Sequence, residues 1–128
     1  MRIVLAIFSG IVANFLVIFG VEQLTQLFVE IPPLKSGMQP DYTASSFTGL
    51  LVMIVLAHVV GLVVGLWVTR KIERQTSLPL FFVALSMVIG SLVNVAMIPH
   101  PIWFSILDPI ALCVCAYVFY NWSTRIAD

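Results

Sequence analysis

Between Arg2 and Glu22 the chain carries no charged residue, and three further stretches, Phe47 to Val68, Leu78 to Ile98 and Ile102 to Trp122, are almost as clean. A helix rises about 1.5 Å per residue and needs roughly 20 residues to cross about 30 Å of hydrocarbon. Each stretch is long enough, and within lipid a helix satisfies its own backbone polar groups. The expected fold is therefore all-α: a polytopic membrane protein, a bundle of four transmembrane helices, with spans at about 3–28, 47–68, 78–98 and 102–122. Composition agrees, because 61% of the residues are hydrophobic and only 9% are charged, too few to cover a water-soluble core. The 128 residues leave room for one domain. A cleaved signal peptide is the alternative for the first stretch, but its apolar part is longer than a signal core and no small-x-small cleavage site follows it.

The distribution of charge gives the spans a direction. Arg2 precedes the first, Arg70, Lys71 and Arg74 lie between the second and third, and Arg125 follows the fourth, whereas Lys35 stands alone between the first and second. Cytoplasmic loops carry the excess of Lys and Arg, so both termini and the loop 69–77 are expected on the cytoplasmic side. Trp103 then falls at the outer interface, and Trp67, Tyr120 and Trp122 at the inner one. The loop 30–45 is extracytoplasmic on this reading. Its Pro32, Pro33 and Pro40 exclude a regular helix through the middle, while Asp41 is placed to cap a lead-in to the second span. Six basic and six acidic residues give no net charge, which removes the basis for a nucleic-acid-binding face.

Two proline sites shape the second half. Pro99-His100-Pro101 stops the third helix sharply and makes the following turn short and stiff. Asp108 precedes Pro109 inside the fourth span. A helix starting afresh at Pro109 and ending at Tyr120 would cover only about 18 Å, so one helix running through the proline is the expected form.

At about 100° per residue, polar and small side chains fall into stripes. His58, Gly61, Gly65 and Thr69 share a face of the second span, and Gly61 with Gly65 makes a GxxxG spacing that admits a close helix neighbour. Ser86, Gly90 and Asn94 recur every fourth residue in the third. In the first, Gly10, Asn14, Val21 and Thr25 share a face with Glu22 at its edge, and in the fourth Ser105, Asp108, Ala111 and Cys115 align. Gly61, Gly65, Ser86 and Gly90 are thus the expected helix-packing positions.

Depth along the spans places Glu22, His58, Asn94 and Asp108 in the outer half, with His100 just above them. These five are the candidate polar pocket, since ionisable groups within a membrane are costly and mark function by default. Glu22 with His58, and Asp108 with His100, are the expected pairs. Each residue also has a structural role open to it: Glu22 turned toward headgroup water, His58 and Asn94 as interhelical hydrogen-bond donors, Asp108 bonded to backbone near the proline, His100 as a turn residue. Catalytic and cofactor motifs are missing: there is no phosphate loop, HExxH or CxxC, and Cys113 and Cys115 point to different sides of one helix. No local pair has metal-ligand spacing, so neither metal nor cofactor is expected.

Asn94-Val-Ala-Met-Ile-Pro-His-Pro-Ile-Trp-Phe104, together with His58-x-x-Gly61-x-x-x-Gly65 and the late Glu22, resembles small bacterial four-helix integral membrane proteins. That resemblance implies an inner-membrane protein of this topology and brings no activity with it. Small multidrug transporters share the length, the four helices and a Glu in the first helix. Here that Glu sits late in the span and the outer loop is long, so their mechanism is not carried over. The reading preferred from sequence is a non-enzymatic bundle that binds a partner, lipid headgroup or small polar ligand through the outer-half pocket, alone or as a homo-oligomer. The alternative is a proton- or cation-coupled small transporter using Glu22 or Asp108 with His58. A membrane enzyme with Asp108 and His100 as acid and base has the residue types and nothing further.

Overall fold

The computed structural model describes residues 1–28 and 47–125, and among these the regular structure is helical and no strand occurs. The loop 30–45, with Lys35 and the cap expected at Asp41, lies outside the described residues. Four helices follow in order: α1 (Arg2–Phe28), α2 (Thr48–Ile72), α3 (Leu78–Met97) and α4 (Ile102–Arg125). All four are long and apolar enough to cross a membrane.

The helix ends follow local chemistry. α2 runs to Ile72, past the expected end at Val68, so that Arg70 and Lys71 occupy its last turn and the connection to α3 shortens to 73–77. Cations there complement the helix dipole. Within that connection the Gln75 N–H donates to Glu73 Oε1 at 2.8 Å, and Pro79 sits in the first turn of α3, where its missing N–H costs nothing. At the other end Ile98 adopts an extended conformation ahead of Pro99, and α4 restarts at Ile102 with Phe104 N–H donating to Pro101 O at 3.0 Å. α4 passes through Pro109 as one helix.

The arrangement has α2 and α3 in the middle. α2 touches all three other helices and so does α3, whereas α1 and α4 make no contact with each other among the described residues. α1 and α2 form the most intimate pair. Ala6, Gly10, Asn14 and Ile18 recur every four residues along the buried face of α1, and Gly61, Gly65 and Thr69 do so along α2. Without side chains at the glycines the backbones close up: a Cβ on Gly65 would stand 2.7 Å from Gly10 O, and one on Gly61 2.6 Å from Asn14 Oδ1. Thr69 Oγ1 turns back to donate to Gly65 O at 2.7 Å, which keeps the hydroxyl satisfied inside the seam.

The third helix differs from the stripe read in its sequence. Its buried residues are Pro79, Leu80, Val83, Met87 and Ser91. Ser86 and Gly90 are exposed, and a Cβ on Gly90 would meet nothing within 4 Å. Small residues signal packing in lipid only when another helix lies over them; at α3 the neighbours lie over the Met87–Ser91 face. α4 likewise buries Phe104, Asp108, Leu112, Phe119 and Ser123, keeping Asp108 but leaving Ser105, Ala111 and Cys115 only part-covered.

Gly65→Ala drives a methyl against the Gly10 carbonyl, and backbone cannot yield as a side-chain tip can. The expected cost is about 1–3 kcal/mol of stability, as for other overpacked sites. Gly90→Ala, by contrast, is expected to change stability by less than about 0.5 kcal/mol. Reversible unfolding of both variants in mixed micelles checks the pair.

Candidate functional site

Asp108 is fully buried in the half of the bundle nearest the α3–α4 turn, about 9 Å along α4 from its start. A carboxylate there needs partners, because desolvating it alone is prohibitive. It has two. The His58 Nδ1 of α2 stands 2.9 Å from Oδ1 and 3.0 Å from Oδ2, and the Ser91 hydroxyl of α3 donates to Oδ2 at 2.5 Å. One carboxyl group therefore joins three helices.

The surroundings explain why the cluster forms at this level. Leu51 and Val55 of α2 pack with Phe104 of α4 on the turn side. On the far side Leu62 and Leu66, Val83 and Met87, and Leu112 and Phe119 make the larger core. His58, Ser91 and Asp108 lie between, each one helical turn from its apolar neighbours on the same face. The polar residues form one layer of a layered core, shielded above and below, where hydrogen bonds are strengthened by the low dielectric.

His58 is not enclosed. Its side chain keeps 13% of its surface against 1% for Asp108, and Nε2 takes no hydrogen bond among the described residues. A neutral imidazole that donates from Nδ1 to the carboxylate carries its lone pair on Nε2, the ring nitrogen not engaged in the cluster.

The other three residues of the expected pocket stand elsewhere. Glu22, on the part-exposed side of α1, makes no hydrogen bond or ion pair among the described residues. Because α1 does not reach α4, it is also remote from Asp108. Asn94 is part-exposed one turn beyond Ser91, with its carbonyl accepting the Ile98 N–H at 3.0 Å. His100 belongs to the turn: its ring stacks on Phe104 at 4.6 Å between centroids, and Nδ1–H donates to Ile98 O at 2.7 Å. Neither expected pair is found among the described residues, and His58 takes Asp108 instead. Among the described residues no group of three His, Cys, Asp or Glu side chains is placed to hold a metal.

Two polar residues matter that were not among the five pocket candidates, although Asn14 was placed on the α1 face with Gly10. Ser91 is adjacent to Gly90, and only the azimuth of α3 distinguishes which of the two faces Asp108. Asn14 is completely buried between α1 and α2, and among the described residues neither its amide nitrogen nor its oxygen has a hydrogen-bond partner. Its position on the Gly10 face was legible; its isolation results from the glycines opposite, which offer close backbone but no side-chain partner.

No protein-family model, curated protein or solved structure matches this chain.

Removing His58 strands a buried carboxyl group, so His58→Leu is expected to cost about 3–5 kcal/mol, far above the ~0.6 kcal/mol of an average interhelical hydrogen bond in a membrane. Ser91→Ala is expected to cost about 1 kcal/mol. Combining His58→Leu with Asp108→Leu should lose at least about 1 kcal/mol less than the single changes summed. Unfolding free energies measured in bicelles check these values, and strict additivity would refute the contact.

Proposed function

We propose that the protein is a non-enzymatic integral membrane protein that works by binding, with His58 as the ligand-facing group of a site organised by Asp108. The observation that supports this reading is the division of the imidazole: Nδ1 is committed to the carboxylate, while Nε2 is left outward. An imidazole held in this way offers a fixed hydrogen-bond acceptor within the apolar zone. It suits the donor group of a small polar ligand, a lipid headgroup or a partner helix.

Nothing in the cluster provides for covalent chemistry. Ser91 Oγ donates to Asp108 rather than to an imidazole base, the reverse of the polarity a hydroxyl nucleophile requires. On the charge bias read from sequence, the termini and the α2–α3 turn face the cytoplasm, and the site opens toward the outer half of the membrane. The resemblance drawn above makes a bacterial inner membrane the proposed location.

The competing reading, a proton-coupled transporter, draws on the same buried ionisable pair. Proteoliposomes loaded with a pH-sensitive dye separate the two. The binding reading predicts that an imposed pH gradient decays no faster than in empty vesicles; proton entry that Asp108→Asn abolishes would establish transport instead. In a His100→Gln background, diethyl pyrocarbonate is expected to modify His58 through its outward Nε2. An unreactive His58 would contradict the proposed site.

A further inference from the structure

At the opposite end of the bundle, where α2 and α4 finish, a cavity of about 480 Å³ is lined by Trp67, Arg70, Lys71, Arg74 and Trp122. None of its three cations makes an ion pair with a carboxylate among the described residues. Arg70 is oriented by neutral groups, donating to Ser123 O at 3.3 Å and Thr76 O at 3.5 Å. Lys71 Nζ lies 5.2 Å above the Trp67 ring. Glu73, the nearest acid in sequence, is buried and accepts the Gln75 N–H instead. Among the described residues, the cavity therefore concentrates positive charge that no carboxylate pairs.

A second cavity, an apolar groove of about 710 Å³, runs between α2 and α4 and shares Trp67, Phe119 and Trp122 with the first. Along α4 it extends from Leu107 to Trp122, about 22 Å, which exceeds the ~15 Å half-thickness of the hydrocarbon. An anion-attracting chamber thus opens into a trough that continues down the helices, with tryptophans at the junction, the level at which indole rings settle in a bilayer.

We propose that the α2–α4 face is a binding site for one anionic phospholipid, its phosphate among Arg70, Lys71 and Arg74 and an acyl chain in the groove toward Leu107. Charge and shape together select this occupant. A transmembrane partner would fill the apolar trough but leave the cations unanswered, and a soluble anion would answer the cations but leave the trough empty. Basic pockets between helices at a cytoplasmic membrane surface have this chemistry, and the cytoplasmic leaflet supplies anionic headgroups. The groove reaches Val59 and Leu107, beside His58 and Asp108, but His58 does not line it and the proposal does not depend on the binding role proposed for His58.

The test is lipid retention by the full chain in native mass spectrometry, using dioleoyl phosphatidylglycerol and dioleoyl phosphatidylcholine, which differ only in headgroup. Wild type is expected to retain phosphatidylglycerol more than tenfold better. Lys71→Gln with Arg74→Gln, both at exposed positions, should reduce that retention by about thirtyfold, on a contribution per basic residue typical of membrane surfaces. Val114→Trp, which fills the trough from an exposed position, should displace the lipid while the thermal transition in detergent holds. Equal retention of the two lipids, or retention indifferent to both variants, would overturn the proposal. So would displacement of the lipid by millimolar inorganic phosphate, which would reduce the site to an anion pocket. A dimer that Val114→Trp dissociates, with no change in lipid, would assign the groove to a second copy of the chain.

Discussion

A carboxyl group buried among apolar helices sets the terms for the rest of this structure. Asp108 has no water to turn to, so its two oxygens must be met from neighbouring helices, and they are met by one imidazole and one hydroxyl. That requirement fixes more than a contact. For His58, Ser91 and Asp108 to coincide, α2, α3 and α4 must have one relative register and one azimuth each; a rotation that suited Leu and Val equally well would leave the carboxyl group bare. Apolar packing in lipid discriminates weakly among such rotations, because lipid tails are as apolar as the side chains. The polar layer supplies the discrimination.

The first helix is held by different means. Among the described residues it makes no contact with α4 and stays outside the Asp108 layer, and although it also touches α3 its attachment depends chiefly on how closely two backbones approach at Gly10, Gly61 and Gly65. Van der Waals contact dominates that seam, with one long hydrogen bond from Thr69 Oγ1 to Ala6 O at 3.4 Å, and the seam even encloses the Asn14 amide, which has no hydrogen-bond partner among the described residues. The bundle thus combines a polar junction of three helices with a close-packed junction of two, and α2 belongs to both. His58 and the Gly61–Gly65 pair lie within two turns of that helix, which makes α2 the element least tolerant of change.

Much of this was legible in the sequence, for identifiable reasons. The spans are visible because charge vanishes over them, and Gly61 and Gly65 because the spacing of small residues reports a close neighbour directly. Asp108 and His58 stand out by their cost in lipid. What the sequence does not carry reliably is azimuth in lipid: in α3 the small and polar stripe Ser86, Gly90 and Asn94 pointed to one packing face, while the face that neighbours cover is Val83, Met87 and Ser91. Pairing failed for a related reason. Depth alone allows Asp108 either His58 or His100, and the choice follows from the proline-bounded turn, which folds His100 back onto Ile98 O and Phe104. Glu22 drops out of the cluster because α1 is diagonal to α4, a property of the bundle rather than of any one helix.

The two ends of the α2–α4 pair carry opposite chemistry, a carboxylate-bound imidazole near one and, among the described residues, cations without a carboxylate partner at the other, joined by an apolar trough. Both the register of the bundle and the proposed role of His58 depend on the contact between its Nδ1 and Asp108. The most direct measurement is a through-space correlation between the His58 ring nitrogens and the Asp108 carboxyl carbon, by solid-state NMR in lipid bilayers. A strong correlation from Nδ1, with Nε2 markedly weaker, is the predicted result. A missing correlation, or one made by Nε2 in place of Nδ1, would contradict it.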